Sequence, residues 1–360
     1  AMRQIGRELE GEQRVVQIQV LAQVLAQRRI QGQLQQATGI LIHPQLFGRA
    51  QHAKAGHAAQ LAHLDFERLA VRPGRQLGPH GGAGHSSAIA AKLNAEGHLV
   101  GIDQDPAALA AAEKRLAGSS PQITLLQGNF RQLGFLLEQA GIEEVDGVLF
   151  DLGVSSHQLD TPERGFSYMQ EGPLDMRMDP EGKLTASTII HKWPEEDIVR
   201  ILFEYGEEKF ARRIAQEIIK YRSQKEFTNT LELAEVIKQA IPAATRRTGP
   251  HPAKRSFQAL RIAVNQELEI LEEAYKAAIH KLKPGGRLAV ITFHSLEDRI
   301  TKQVFQKLAK PCVCPPKFPI CACGLTPEIK LMGKPIGPSI QELEENPRAR
   351  SAKLRVVEKI

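Results

Sequence analysis

Cysteine is scarce in this chain: four residues, all between 312 and 323. So few, in one cluster, exclude a disulfide framework for a protein of 360 residues. Aromatic residues make up 5%, with a single tryptophan. No apolar run approaches the ~20 residues a membrane-spanning helix needs. A basic-then-apolar signal segment is also missing from the N-terminus, so the expected location is the cytoplasm. Nor is there a global basic field. The net charge is +6, but residues 1–82 carry ten Lys and Arg against five Asp and Glu, and the remainder 37 against 36. Any nucleic-acid contact must therefore rest on local patches. What remains is an ordinary globular composition, 42% hydrophobic and 24% charged, long enough for a large core.

Another absence is a strand. Gly81-Gly82-Ala83-Gly84-His85-Ser86 reads as a tight glycine turn opening a helix. A nucleotide-binding α/β domain places an apolar strand directly before such a turn. Here that place holds Val71 to His80, with two prolines, two glycines and two arginines, which cannot form a central strand. The composition changes at the same point. Residues 1–80 hold 14 of the 29 glutamines, and nine arginines against one lysine. Residues 13–36 have the spacing of an amphipathic helix, while 43–82 show little periodicity. A Gln-rich helical extension explains this segment, and so does a reading-frame change upstream of Gly81. The segment 1–80 is accordingly set apart as atypical.

From residue 81 the pattern is regular. Leu99–Asp103, Ile123–Gln127, Val145–Asp151 and Arg287–Phe293 are short apolar runs of strand type. Helical patterns separate them: Ser86–Glu96, Pro106–Leu116, Phe135–Ala140 and a long one over Ser256–Leu282. This alternation predicts an α/β fold, Rossmann-like, with a mostly parallel sheet. Leu354–Glu358 reads as a last edge strand. Between 160 and 245 no strand is evident, and three amphipathic stretches predict an inserted helical domain suited to substrate recognition. The core is then 81–159 joined to 246–360.

Ligands in open α/β sheets sit at the carboxyl ends of strands. Asp103 ends one strand, 19 residues after Gly84, the spacing of an acid that receives both hydroxyls of a ribose. Asn129-Phe130 follows the next, where an aromatic could face adenine or simply join the core. Asp151 ends a third, opening Asp151-Leu152-Gly153-Val154-Ser155-Ser156-His157-Gln158. Together these imply a bound adenosine-type cofactor. Gly-Gly-Ala-Gly is not the fingerprint of dinucleotide sites, and Lys283-Pro284-Gly285-Gly286 is a turn common in methyltransferases, which favours S-adenosylmethionine. Asp151 would lie where the methyl group meets its acceptor, either binding cofactor or accepting an N–H from a base amine.

Pro242–Arg261 carries Arg246, Arg247, Lys254, Arg255 and Arg261 with no acid, and His251 and Phe257 interleave. Phosphate contacts plus a stacking ring fit RNA, and a solvated helix face fits as well. Residues 346–353 form a smaller basic patch. Cys312, Cys314, Cys321 and Cys323, arranged C-x-C, six residues, C-x-C, could hold a tetrahedral zinc or remain reduced thiols.

From Gly81 onward the chain resembles the RsmH (MraW) family of S-adenosylmethionine-dependent methyltransferases. The resemblance rests on GGAGHSS at 81–87, DLGVSSHQLD at 151–160 and RGFSYMQEGPLDMRMD at 164–179. It continues with YGEEKFARRIA at 205–215, HPAKRSFQALRIAVNQEL at 251–268, ITFHSLEDR at 291–299 and NPRARSAKLR at 346–355. It implies methylation of N4 of a cytosine in the decoding region of 16S ribosomal RNA, with that RNA or the small ribosomal subunit as partner. It also implies cofactor contacts at Ala83, Gly84, His85, Asp103, Phe130, Asp151 and Gln158. Oligomeric state, a homodimer among the choices, is not legible. Two rivals stand beside this reading: a methyltransferase of DNA or protein nitrogen, and a non-catalytic RNA-binding assembly factor.

Overall fold

A computed structural model describes residues 16–20 and 84–360, apart from 248, 316–321 and 346. The expected alternation is present. Gly84–Ala90 is α1, His98–Asp103 is β2, Pro106–Leu116 is α2 and Gln122–Gln127 is β3. Leu133–Gln139 is α3 and Val145–Asp151 is β4. With β1 (Val16–Val20), β5 (Leu282–Thr292), β6 (Ile329–Leu331) and β7 (Lys353–Lys359), the seven described strands form one sheet in the order β3-β2-β1-β4-β5-β7-β6. β5 runs parallel to β4, while β7 is antiparallel to both β5 and β6. The Rossmann-like reading holds.

β1 corrects the sequence reading. It is Val16–Val20, within the stretch expected as a helix, and it lies parallel between β2 and β4. The strand expected to be missing is thus supplied from 60 residues further upstream. Val-Gln-Ile-Gln-Val alternates with the period of a strand, and β-branched residues favour that conformation. The inner edges of β2 and β4 need a neighbour for their backbone groups, and this segment provides it. The rest of 1–80 and the turn residues Gly81, Gly82 and Ala83 lie outside the described residues.

Strand alternation sets the two faces of the sheet. Val100, Ile102, Val148, Phe150, Leu288 and Val290 point to one side, where they pack with Leu133, Leu137, Tyr275 and Phe305. Leu99, Leu149, Ala289, Ile291, Leu354 and Val356 point to the other, against Ile89, Ala112 and Leu116. With helices on both faces, the central strands are buried twice over, which is why they read as continuous apolar runs.

The segment expected as a helical insertion contains no strand. α4 (Ser156–Asp160) leads into it, and it folds as α5 (Ala186–Lys192), α6 (Glu195–Glu204), α7 (Ala211–Arg222) and α8 (Thr230–Ala240). Ile189, Ile198, Ile214, Leu233 and Ile237 form a second core there, and Phe257, Leu260 and Val264 complete it. The helical unit therefore extends past residue 245.

The single long helix expected over 256–282 is two helices: α9 (Lys254–Asn265) and α10 (Leu271–Lys281). Gln266 takes a left-handed φ of 52° and ends α9. Glu267 then folds back onto Arg261. The last strand is not at the edge, because β6 pairs outside it. α11 (Ser295–Ala309) links β5 to the loop before β6.

Candidate active site

The site sits where β2, β3 and β4 end. Asp103 is 4% exposed. One of its oxygens accepts the N–H of Asp105 at 2.8 Å. The other, Oδ2, is buried with no hydrogen-bond partner among the described residues. Burial, opposed only in part by the Asp105 N–H, pushes this carboxyl well above the usual carboxylate range. Asp103 lines a cleft with Ile102, Phe130, Leu152, Gly153 and Met178, whose solvent-open space is about 480 Å³. Phe130 faces the cleft and also meets Phe150 edge-on, with centroids 5.6 Å apart. Of its two expected roles, facing adenine or joining the core, that contact fills the second.

Asp151 directly precedes Leu152 and Gly153 of the cleft wall in the chain but does not itself line the cleft. It is 1% exposed, and its Oδ2 is 3.1 Å from Nδ1 of His85 at the start of α1. Its Oδ1 is buried without a hydrogen-bond partner among the described residues. Burial raises the Asp151 carboxyl even against the lowering effect of His85.

A third acid, missed by the sequence reading, organises the entrance. Asp105 caps α2, its Oδ1 accepting the N–H of Ala107 at 3.0 Å. Its Oδ2 accepts from Gln158 Nε2 and from Arg164 Nη1, both at 2.7 Å. Gln158 is thus drawn toward the β2 end, but through Asp105. Its own Oε1 is buried and has no partner among the described residues.

Arg164 also donates to the carbonyls of Arg177 and Met178 at 2.9 and 3.0 Å. Asn265 of α9 holds the same strap, donating to Met176 O and accepting from Met178 N, both at 2.8 Å. Met176 is fully buried at a φ of 63°, a conformation costing about 1–3 kcal/mol that the surrounding bonds sustain. A Cβ on Gly165 would come within 2.0 Å of Pro173 O, and one on Gly172 within 2.0 Å of Pro162 O. The strap 164–178 folds only with glycine at both places. It ends at Met178, whose Sδ accepts from Gln104 at 3.2 Å on the cleft wall. The signal was visible as Arg-Gly-Phe-Ser-Tyr, but its role depends on the long-range bonds.

Opposite, His294 caps α11 in a reciprocal box with Glu297. Glu297 is 1% exposed, and its Oε2 accepts the N–H of Phe293 at 2.7 Å. Burial works against its charge, but His294 and that N–H outweigh it and hold the carboxyl below its ordinary value. Glu297 and Glu267 both line the cleft.

The basic stretch divides. Arg247, Lys254 and Arg255 are exposed, while Arg246 is half-buried and donates to Lys238 O at 2.8 Å. Arg261 leaves the surface patch. It makes a two-pronged ion pair with Glu267, at 2.8 and 2.7 Å, with a side chain only 15% exposed. Phe257 cannot stack on a base, because it is 3% exposed. It meets Tyr168 edge-on, and His251 stacks on Tyr168 with centroids 4.8 Å apart. In the C-terminal patch Arg348 pairs with Asp160, and Lys353 with Asp298. Cys312, Cys314 and Cys323 converge on one another, and Cys321 lies outside the described residues. Gly84 and His85 open α1, whereas Ala83 is not described.

A mostly parallel sheet whose order reverses at β1, with a cleft at the ends of β2 and β3 that Asp103 lines, is the frame of a Rossmann-like class I methyltransferase. Its cofactor is S-adenosylmethionine, and the cleft fits such a group: a buried carboxyl oxygen without a partner among the described residues stands beside an aromatic wall.

The MraW methylase family model matches residues 24–360, and the chain belongs to that family. The match begins well before Gly81, where the recognisable motifs start. Ribosomal RNA small subunit methyltransferase H of Heliobacterium modesticaldum is 54% identical over 308 residues, covering 84% of this chain and 98% of that protein. The protein of the same name from Brevibacillus brevis is 58% identical over 281 residues, covering 78% and 90%. Among solved structures, an rRNA methylase from Streptococcus thermophilus has a TM-score of 0.32 at 12% identity, covering 78% of this chain and 82% of that one. A SAM-dependent O-methyltransferase from Thermotoga maritima has 0.33 at 11%, covering 87% and 68%. Likenesses so distant add nothing to the family assignment. No described helix is long and apolar enough to cross a membrane.

Proposed function

We propose that this protein methylates 16S ribosomal RNA in the cytoplasm, at N4 of a cytosine in the decoding region. Relatives spanning nearly their whole length carry a name that specifies small-subunit ribosomal RNA. The observation that carries the chemistry is Asp151: a buried carboxylate at a strand end, one oxygen on His85 and the other unpartnered among the described residues.

The lone pair of a cytosine amine is delocalised into its ring. A carboxylate accepting one amine N–H favours the pyramidal form and turns the lone pair outward. Asp151 Oδ1 is the acceptor for that N–H. Bound S-adenosylmethionine supplies an electrophilic methyl group. Asp151, whose raised affinity for protons suits it as a base, would take the proton that the amine gives up on methylation. His85 orients the carboxylate. Asp103 would hold the ribose hydroxyls and Phe130 the adenine, and the family resemblance adds Ala83, Gly84 and Gln158 as further cofactor contacts. The base must leave its stack to reach the cleft. The helical unit 160–245 with α9 holds the RNA, using Arg246, Arg247, Lys254 and Arg255 on phosphates.

The test is mass spectrometry of 16S RNA from cells lacking the gene, with and without this chain restored. N4-methylcytosine in one decoding-region fragment should disappear and return. Its persistence in the deletion strain, or its absence after restoration while duplex DNA gains the mark, would overturn the assignment.

A further inference from the structure

The loop from 310 to 328, between α11 and β6, carries no helix or strand among its described residues. Its large apolar side chains among the described residues are exposed, Val313 by 77% and Leu325 by 50%. A backbone bond from Glu328 N to Leu308 O, 3.1 Å, ties its far end to α11. Loops of this length without their own structure are uncommon in compact domains unless something else holds them.

In this loop three sulfurs converge. The Sγ atoms of Cys312, Cys314 and Cys323 all lie within 4.8 Å of one another. A backbone donor points at them too: the N–H of Ala322 reaches Cys314 Sγ at 3.3 Å. Two of the three cysteines are half-buried, and the third is exposed. None of these groups faces the methyl-transfer cleft.

We propose that these three cysteines form a zinc site that clips the loop between α11 and β6. Zinc–thiolate bonds of about 2.3 Å in a tetrahedron place the sulfurs ~3.8 Å apart. The observed spread therefore has to close by no more than ~1 Å, within the reach of Cys rotamers on a loop. The C-x-C step is one residue shorter than in most zinc knuckles, yet Cys312 and Cys314 present their sulfurs to the same point. Soft thiolates select zinc over magnesium or calcium, and an N–H directed at sulfur is the outer contact such ligands use. Each thiol binds as thiolate and releases its proton to solvent. A tetrahedral ion needs one more ligand. Cys321, two positions before Cys323 in the sequence, and water are the choices.

Metal content settles it. The full chain is purified under reducing conditions without chelator, and zinc is counted by inductively coupled plasma mass spectrometry. About one zinc per chain is expected, falling to near none in Cys314→Ser and in Cys323→Ser but unchanged in Asp103→Asn. Should the serine variants fail to fold, titrating the wild-type thiols with a mercurial should release zinc in step with the sulfurs modified. Cobalt in place of zinc should give the visible absorption of tetrahedral thiolate coordination. Cys321→Ser identifies the fourth ligand: loss of zinc makes it Cys321, retention makes it water. Folded wild-type protein without stoichiometric zinc, with all four thiols reacting freely or a disulfide among them, overturns the proposal.

Discussion

Asp105 joins the sheet to the strap that covers the cleft, and its removal should be costly. In Asp105→Ala, α2 loses its cap, worth about 1 kcal/mol. Arg164 loses the partner of a buried ion pair, for which one-sided removal costs about 3–5 kcal/mol. The lower figure applies. Arg164 keeps the carbonyls of Arg177 and Met178, and its side chain is 19% exposed. A total loss of about 4 kcal/mol is expected. Asp105→Asn keeps an oxygen for the cap but not the charge, and should lose about 2 kcal/mol. Urea denaturation reads both. Circular dichroism follows the whole molecule, and the fluorescence of Trp193, the only tryptophan, follows the helical core it packs on. The two signals should coincide in the wild type, as two-state unfolding requires. A double-mutant cycle with Arg164→Met isolates the pair, with an expected coupling near 2 kcal/mol. If Asp105→Ala unfolds within about 1 kcal/mol of wild type, or the coupling vanishes, the strap is not held as described.

Asp103→Asn should stabilise the cofactor-free protein while weakening S-adenosylmethionine binding by about 10–100-fold, since charged hydrogen bonds contribute about 1.5–3 kcal/mol. The sign follows from burial: a folded carboxyl raised above its unfolded value contributes stability below the unfolded pKa and loses it as pH rises through the raised one. Melting temperature at neutral pH and calorimetric titration measure the two effects, and a variant unchanged in both would remove Asp103 from the ribose site. Asp151→Asn should lower kcat by about 10²–10⁴-fold with cofactor affinity nearly unchanged. The wild type should also lose kcat as pH falls through the raised Asp151 value, a limb missing in the variant. Arg247→Ala with Lys254→Ala should weaken RNA binding and reduce its salt dependence by about one unit of slope per residue. Arg261→Ala should instead cost about 3–5 kcal/mol of stability, because it leaves Glu267 buried and unpaired. Fluorescence anisotropy against salt and urea denaturation separate the two classes.

The sequence by itself determined the alternation of strands and helices after residue 81, the acids that end β2 and β4, and the strand-free stretch from 160 to 245. Those are local matters: apolar period, turn residues and the chemistry of a strand end. It could not determine where the central strand came from. Val16–Val20 has a strand's period, but only the open place between β2 and β4 draws it in from so far upstream. Nor could it separate Arg261 from Arg255, six positions apart on one basic stretch. Helix phase turns the first toward Glu267 and the second toward solvent. Phe257 was misread for the same reason, its ring belonging to the second core. The Asp105–Arg164 clamp and the Asn265 strap join residues 59 and about 88 positions apart. Such bonds become visible only when the chain is folded, because hydrogen-bond partners are chosen by distance in space and not by distance along the chain.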